Sequence, residues 1–405
     1  MTATSTAYDH VDDGLARRNA MILAIAQAFG GANATIVFAS ASLVGHYLLG
    51  SDKSLATLPV TAYVLGMASA TIPVQLLSRW IGRKYTFMGG ATLGVVSGLL
   101  AAQAVFDGSF FRLCVATFIA GCYGGFTQAY RFAAADTASD EFRPKAISWV
   151  LIGGVAAAFL GPQVVIHTKD MFAPVLFAGA FVGQAALACV AIVVLAFLRI
   201  PRPHIAARRS GGRPLGQIIR QSRFIVSVVC GVTSYALMSF VMTAAPLAMV
   251  ACNHSPEDAA LGIQWHVLAM FAPSFFTGTL INRFGVETIT ATGLLLLAGC
   301  GVIALTGVDV AQFWAALILL GLGWNFGFIG ATTMVTQTYR PEERNKVQAT
   351  NDFLIFGLQA VASFSSGKIL ATVGWDAINW SLFPFIGFAL LALFWLVVFG
   401  RRQTV

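Results

Sequence analysis

The chain has 405 residues, 57% of them hydrophobic and 10% charged, with 25 Lys and Arg against 17 Asp and Glu for a net charge of +8. A water-facing surface needs about 25% charged residues, so this composition excludes a soluble globular protein. At about 33 residues per spanning helix and its turn, the chain holds about twelve spans and leaves no room for a large soluble catalytic domain.

At the N-terminus Asp9, Asp12 and Asp13 precede Arg17 and Arg18. This is not the short basic stretch and small-residue cleavage site of a removable signal, so the first apolar span is expected to stay in the protein. Hydropathy then places spans near 20–48, 55–78, 86–106, 110–134, 146–167 and 172–198. After a polar break, six more follow near 223–252, 258–281, 287–307, 311–337, 346–371 and 378–399. The pattern predicts an all-α polytopic membrane protein with twelve transmembrane helices. Its parts are an N-terminal six-helix half, 1–199, a cytoplasmic basic linker, 200–222, and a C-terminal six-helix half, 223–405.

The charge has a topological pattern. Of the 25 basic residues, all but Lys53, Arg112, Lys169 and Lys368 fall in segments on one face of the predicted membrane, seven of them at or beside the central break, from Arg199 to Arg223. This positive-inside bias predicts that both termini are cytoplasmic. It also removes nucleic acid as an expected partner, because no binding module or aromatic interleaving accompanies the charge. The lipid bilayer is the expected surrounding. Six cysteines, Cys114, Cys122, Cys189, Cys230, Cys252 and Cys300, lie within or beside apolar stretches and form no secreted disulfide framework.

An internal repeat relates the halves. Glu141-Phe-Arg143-Pro-Lys145 recurs as Glu342-Glu-Arg344-Asn-Lys346, and Leu77-Ser-Arg79-Trp-Ile-Gly82 echoes Leu280-Ile-Asn282-Arg-Phe-Gly285. The two echoes are offset by nearly the same number of residues, as parallel repeats require. On these residues the chain resembles the major facilitator superfamily over nearly its whole length. That family carries G-x-L-x-D-R-x-G-R-K between its second and third helices. Leu77, Gly82, Arg83 and Lys84 match it, while Gln75 and Arg79 replace the glycine and the acid. The second half matches at Gly278, Leu280, Arg283 and Gly285, with Asn282 in place of the acid. With both acids missing, the salt-bridged latch that the resemblance implies is not expected here.

Polar side chains are costly inside apolar spans and are functional candidates for that reason. Asn33, Gln128 and Asn325 fall on helices that line the cavity in the family resembled. Arg131, Asp136 and Asp352 lie within a turn or two of predicted cytoplasmic ends, where they are cavity or coupling candidates or simple interfacial pairs. No nucleophile–base pair suggests an enzyme, and no catalytic residue is assigned.

Sulfur is the distinctive chemistry of the seventh and eighth spans. Met238 and Met242 are four residues apart on one helical face, and His266 and Met270 repeat the spacing on the next helix at a matching depth. Cys230 and Ser234 continue the first stripe, and Met249, Cys252 and His254 lie near its outer end. Methionine in such spans is often packing filler. Thioethers and imidazole together, however, favour copper(I). Met-x-x-x-Met followed by His-x-x-x-Met is similar to the signature of the CcoA-like bacterial copper importers, which supply copper for haem-copper oxidase assembly.

That resemblance implies Met238, Met242, His266 and Met270 as copper-handling residues, with Cys230 and Cys252 as relay ligands; Met249 and His254, beside Cys252 at the outer end, are expected to join the relay. Cys230 and Cys252 lie about 33 Å apart along one helix and cannot form a disulfide. The expectation is therefore a monomeric copper importer of the bacterial inner membrane, working by alternating access. Copper is its substrate, there is no permanently bound cofactor, and a cytoplasmic copper acceptor is its partner. Two alternatives stand beside it: a transporter of a small organic solute such as riboflavin, and a membrane receptor that holds copper without moving it.

Overall fold

A computed structural model describes residues 13–51, 53–136, 138–139, 142–200, 212–340 and 343–399. The central part of the linker, 201–211, lies outside the described residues. Among those described there are helices and no strands. In chain order they are α1 (Asp13–Leu48), α2 (Leu58–Trp80), α3 (Arg83–Phe106), α4 (Phe110–Gln128), α5 (Tyr130–Asp136), α6 (Arg143–Thr168), α7 (Ala178–Ala196) and α8 (Leu215–Ile218). There follow α9 (Ser222–Ala251), α10 (Pro256–Phe271), α11 (Ser274–Phe284), α12 (Val286–Ala304), α13 (Val310–Thr336), α14 (Arg344–Thr372), α15 (Trp375–Trp380) and α16 (Leu382–Phe399). Counting α4 with α5 and α15 with α16, 11 of these segments are long and apolar enough to cross a membrane. The pair α10 and α11, bent by 44°, supplies the twelfth.

The eighth span departs from the straight helix expected over 258–281, and Pro273 is the reason. A proline has no N–H for the carbonyl four residues back, and its ring clashes there, so the helix stops and restarts. Elsewhere the ends are set by local chemistry. Ser255 caps α10, its hydroxyl taking the Asp258 N–H at 3.0 Å while the Asp258 carboxylate takes the Ser255 N–H at 3.2 Å.

The chain forms two compact units, Met1–Val37 with Gly66–Arg209, and Phe38–Leu65 with Ser210–Val405. In the second unit the Thr61 hydroxyl is 3.3 Å from that of Ser363. In the first unit, a core that includes Leu23, Phe87, Tyr123, Phe126 and Tyr130 is held by aromatic packing, with the Phe87 and Tyr130 rings edge to face at 4.8 Å. The Asn19 amide grips both backbone groups of Arg199, donating at 2.8 Å and accepting at 3.1 Å. In the second unit α12 and α13 pack backbone to backbone: a Cβ at Gly293 would collide with the Gly327 nitrogen, so only glycine allows this approach.

Within the linker, Gly212 has φ +96 and turns Arg213 onto Glu343, whose side chain is fully buried. The Arg213 guanidinium donates to both carboxylate oxygens, at 2.9 and 2.7 Å, and to the Thr338 carbonyl at 3.0 Å. The N–H groups of Arg213 and Arg340 complete the shell at 2.7 and 2.9 Å. Glu287, two residues after Gly285, accepts from Arg223 at 2.7 Å, and Arg223 reaches Gln337 at 2.8 Å, tying the starts of α9 and α12 to the end of α13.

The Arg213 guanidinium, with the two backbone N–H groups, holds the Glu343 carboxyl well below the usual carboxylate range. A depressed folded pKa gives stability that is present above the unfolded value of about 4.3 and lost as pH falls through the acid range. Acidifying detergent-solubilised protein below about pH 4 is therefore expected to lower its melting temperature. In Glu343→Gln the melting temperature at neutral pH should already be lower, and its acid dependence weaker.

Candidate functional site

The second unit gathers aromatic side chains from four helices. Tyr235 of α9 meets Trp324 and Phe328 of α13 and Phe356 of α14 edge to face, at 5.4, 5.0 and 5.6 Å between ring centroids. Trp324 and Phe328 stack at 5.2 Å with their planes 17° apart, and Phe271 of α10 stands edge-on to Trp324 at 6.0 Å. Two helix positions four apart on α13 give the stacked pair its parallel planes. Trp324 is 6% exposed, and its indole N–H is buried with no partner among the described residues. An unspent donor inside a cluster of rings is a costly feature for packing alone and a useful one for holding a heteroaromatic guest.

Along α9 and α14 the aromatic level gives way to polar pairs. Gln359 Nε2 is 3.4 Å from the Ser239 hydroxyl, and the Thr243 and Ser363 hydroxyls are 3.2 Å apart. All four residues are buried, and Gln359 Oε1 has no partner among the described residues. The Ser366 hydroxyl donates to the Phe240 carbonyl at 2.7 Å, closing the same seam.

Asn325, expected as a cavity group, is a structural clamp. Its amide nitrogen donates to the Met270 carbonyl at 2.6 Å and to the Ser274 hydroxyl at 2.7 Å, and its oxygen accepts from Thr277 at 2.6 Å. It thereby spans the break between α10 and α11 and satisfies a carbonyl that the bend leaves without a helical partner.

The sulfur and imidazole quartet is buried: Met238, Met242, His266 and Met270 are each less than a tenth exposed. From the ends of α9 and α10, Met242 and His266 lie at depths of about 14 and 15 Å, and Met238 and Met270 at about 20 and 21 Å. His266 turns toward α13, where Nδ1 donates to the Leu317 carbonyl at 2.8 Å, and Nε2 is left without a partner among the described residues. No group of three His, Cys, Asp or Glu able to hold a metal occurs among the described residues.

Of the expected relay ligands, the Cys230 thiol lies 4.0 Å from the Ala389 carbonyl of α16, Met249 is fully buried, and His254 bonds the Val308 carbonyl at 2.6 Å beside the Phe313 ring. Cys252 caps the end of α9, where its backbone N–H is spent on the last turn. In the first unit Asn33 donates to the Ala120 carbonyl at 3.0 Å, Gln128 is exposed, and the Arg131 guanidinium sits 4.9 Å over the Phe132 ring. Asp352 accepts from Asn351 at 3.1 Å, and the side chain of Asp136 lies outside the described residues.

The aromatic and amide groups escape a reading based on charge and sulfur, because no local motif links them. The available signal is a spacing: Tyr235, Ser239 and Thr243 at intervals of four on α9 answer Phe356, Gln359 and Ser363 on α14.

A family model described as Major Facilitator Superfamily matches residues 21–250 and 227–404. The chain is 53% identical over 384 residues to the riboflavin transporter RfnT of Brucella anthropi, covering 94% of this chain and 96% of that protein. It is 29% identical over 376 residues to YddS of Bacillus subtilis, an uncharacterized MFS-type transporter, covering 88% of this chain and 86% of that one. Among solved structures, the crystal structure of a point mutant of the nucleoside transporter NupG superposes with a TM-score of 0.70 at 14% identity, covering 94% of this chain and 98% of that one.

Replacing Asn325 by Leu takes the donor from the Met270 carbonyl and the Ser274 hydroxyl in an apolar interior, while the Thr277 hydroxyl keeps the Pro273 carbonyl at 2.8 Å. The expected cost is about 2 kcal/mol, read as a lower melting temperature in detergent. Asn325→Asp, which keeps an acceptor for Thr277, should lose less than Asn325→Leu if burial leaves the acid neutral.

Proposed function

The chain belongs to the major facilitator superfamily, and from that premise we propose that it carries riboflavin, or a flat heteroaromatic solute closely like it, across a bacterial inner membrane. As a secondary transporter it moves its substrate by alternating exposure of a site within the spans. The observation that carries the reading is the aromatic cluster of Tyr235, Trp324, Phe328, Phe356 and Phe271, with its unpartnered indole N–H and the nearby unpartnered Gln359 oxygen. A tricyclic flavin ring offers an extended π-face and edge acceptors, which suits stacking against parallel rings and a bond from Trp324. The 53% identity to a transporter named for riboflavin supports the same substrate.

Copper import, the first expectation from the sequence, finds no support among these relatives. It remains the second reading on one observation, the buried and unpartnered Nε2 of His266 at the level of Met242. Copper would then be cargo rather than a resident cofactor.

The test uses bacteria that cannot make riboflavin and lack an importer of their own. Expression of the chain should restore growth on low riboflavin and the uptake of labelled riboflavin. Loss of a stacking ring costs about 1–3 kcal/mol, so Trp324→Ala should raise the half-saturating concentration by a factor of about 5 to about 150. If riboflavin does not accumulate, while radiocopper does and stops on Met238→Ala or His266→Ala, the copper reading replaces this one.

A further inference from the structure

Resting on the riboflavin reading, we propose that the seam between α9 and α14 divides recognition of the substrate along its length. The flavin ring lies at the Tyr235–Phe356 level, and the polyhydroxyl ribityl chain runs along Ser239, Gln359, Thr243 and Ser363 toward the Ala251 end of α9.

The register of the two helices is the basis. Tyr235 faces Phe356, Ser239 faces Gln359 and Thr243 faces Ser363, so one pairing is kept over two turns. From Tyr235 to Thr243 the helix climbs about 12 Å. Over that distance the facing surface changes from rings to hydroxyls and an amide. A ring system joined to a short polyol changes character in the same order and over a similar length.

The polar rungs also have capacity to spare. A hydroxyl carries one donor and two acceptor positions, and an amide oxygen accepts twice. In the chain of Thr61, Ser363 and Thr243 hydroxyls each group uses only part of that set. Gln359 Oε1 is buried without a partner among the described residues, and its nitrogen reaches Ser239 at the long distance of 3.4 Å. A seam that served only to zip two helices together would gain nothing from an orphaned carbonyl oxygen. A polyol hydroxyl donating to Gln359 and accepting from Thr243 would satisfy it.

The rungs are neutral, and this defines the class of tail they accept. None of Ser239, Thr243, Gln359, Ser363 and Thr61 is cationic, so a phosphorylated tail would bury its charge against hydroxyls alone. The seam is a specificity element for uncharged polyols on flat rings.

The experiment compares riboflavin with lumiflavin, the same ring bearing a methyl group in place of the polyol, as competitors of labelled riboflavin uptake in cells expressing the chain. Wild type should prefer riboflavin by at least about tenfold. Thr243→Val and Gln359→Leu should each reduce that preference by about tenfold, leaving the inhibition constant of lumiflavin unchanged. Thr243→Ser, which keeps the hydroxyl, should retain the preference. The inference is overturned if the variants weaken both flavins equally, as a purely structural zipper predicts, or if they keep the wild-type preference. Surface expression measured on a fluorescent fusion identifies a variant that fails to fold, and Ser239→Ala then takes its place in the comparison. Failure of wild type to take up riboflavin at all overturns the substrate reading as well, so the two failures are distinguishable.

Discussion

A chain surrounded by hydrocarbon has to satisfy its backbone hydrogen bonds from within, since no water is at hand to take the remainder. Long helices meet that demand by themselves, and most of this chain is helix for that reason. Wherever a helix is interrupted, a side chain has to make up the difference. At Pro273 the helix cannot continue, and Asn325 reaches across from α13 to hold the Met270 carbonyl on one side of the bend and Thr277 on the other. At the membrane surface the same rule is applied with charge: Glu343 is completely buried because Arg213 and two backbone N–H groups surround its oxygens.

Among the buried groups left without a partner in the second unit are Trp324 Nε1, Gln359 Oε1 and His266 Nε2, and two of these belong to, or adjoin, the ring cluster. The ring cluster and the polar pairs beside it are neutral groups, which can discriminate by shape, stacking and the geometry of donors and acceptors, where fixed charges select by valence.

Composition and hydropathy are enough to read the spans and their number, because a membrane helix needs only a sufficient run of apolar residues and carries that requirement locally. The glycine and basic residues around Gly82 and Gly285 carry the family resemblance in the same local way. The site was harder to read. Met238, Met242, His266 and Met270 stand out because sulfur and imidazole are rare, whereas Tyr235, Trp324, Phe328 and Phe356 are lost among 32 phenylalanines and many other apolar residues. What singles them out is convergence from three helices far apart in the chain, a property of the fold alone. Asn325 shows the converse: a lone amide in an apolar span has two explanations, ligand and clamp, and only the position of the Pro273 bend decides between them.

Trp324 and Asn325 are consecutive residues of one rigid helix, and this adjacency joins two features described separately. One presents its ring to the aromatic cluster, and the other is fastened to both arms of the bent span. The ring cluster and the bend thus share a single backbone segment. By reciprocity, any change a bound ring makes in the angle between α10 and α11 returns as an equal factor in affinity when that angle changes for another reason. The kink leaves one carbonyl open, and the amide that fills it stands next to the indole that closes the ring cluster.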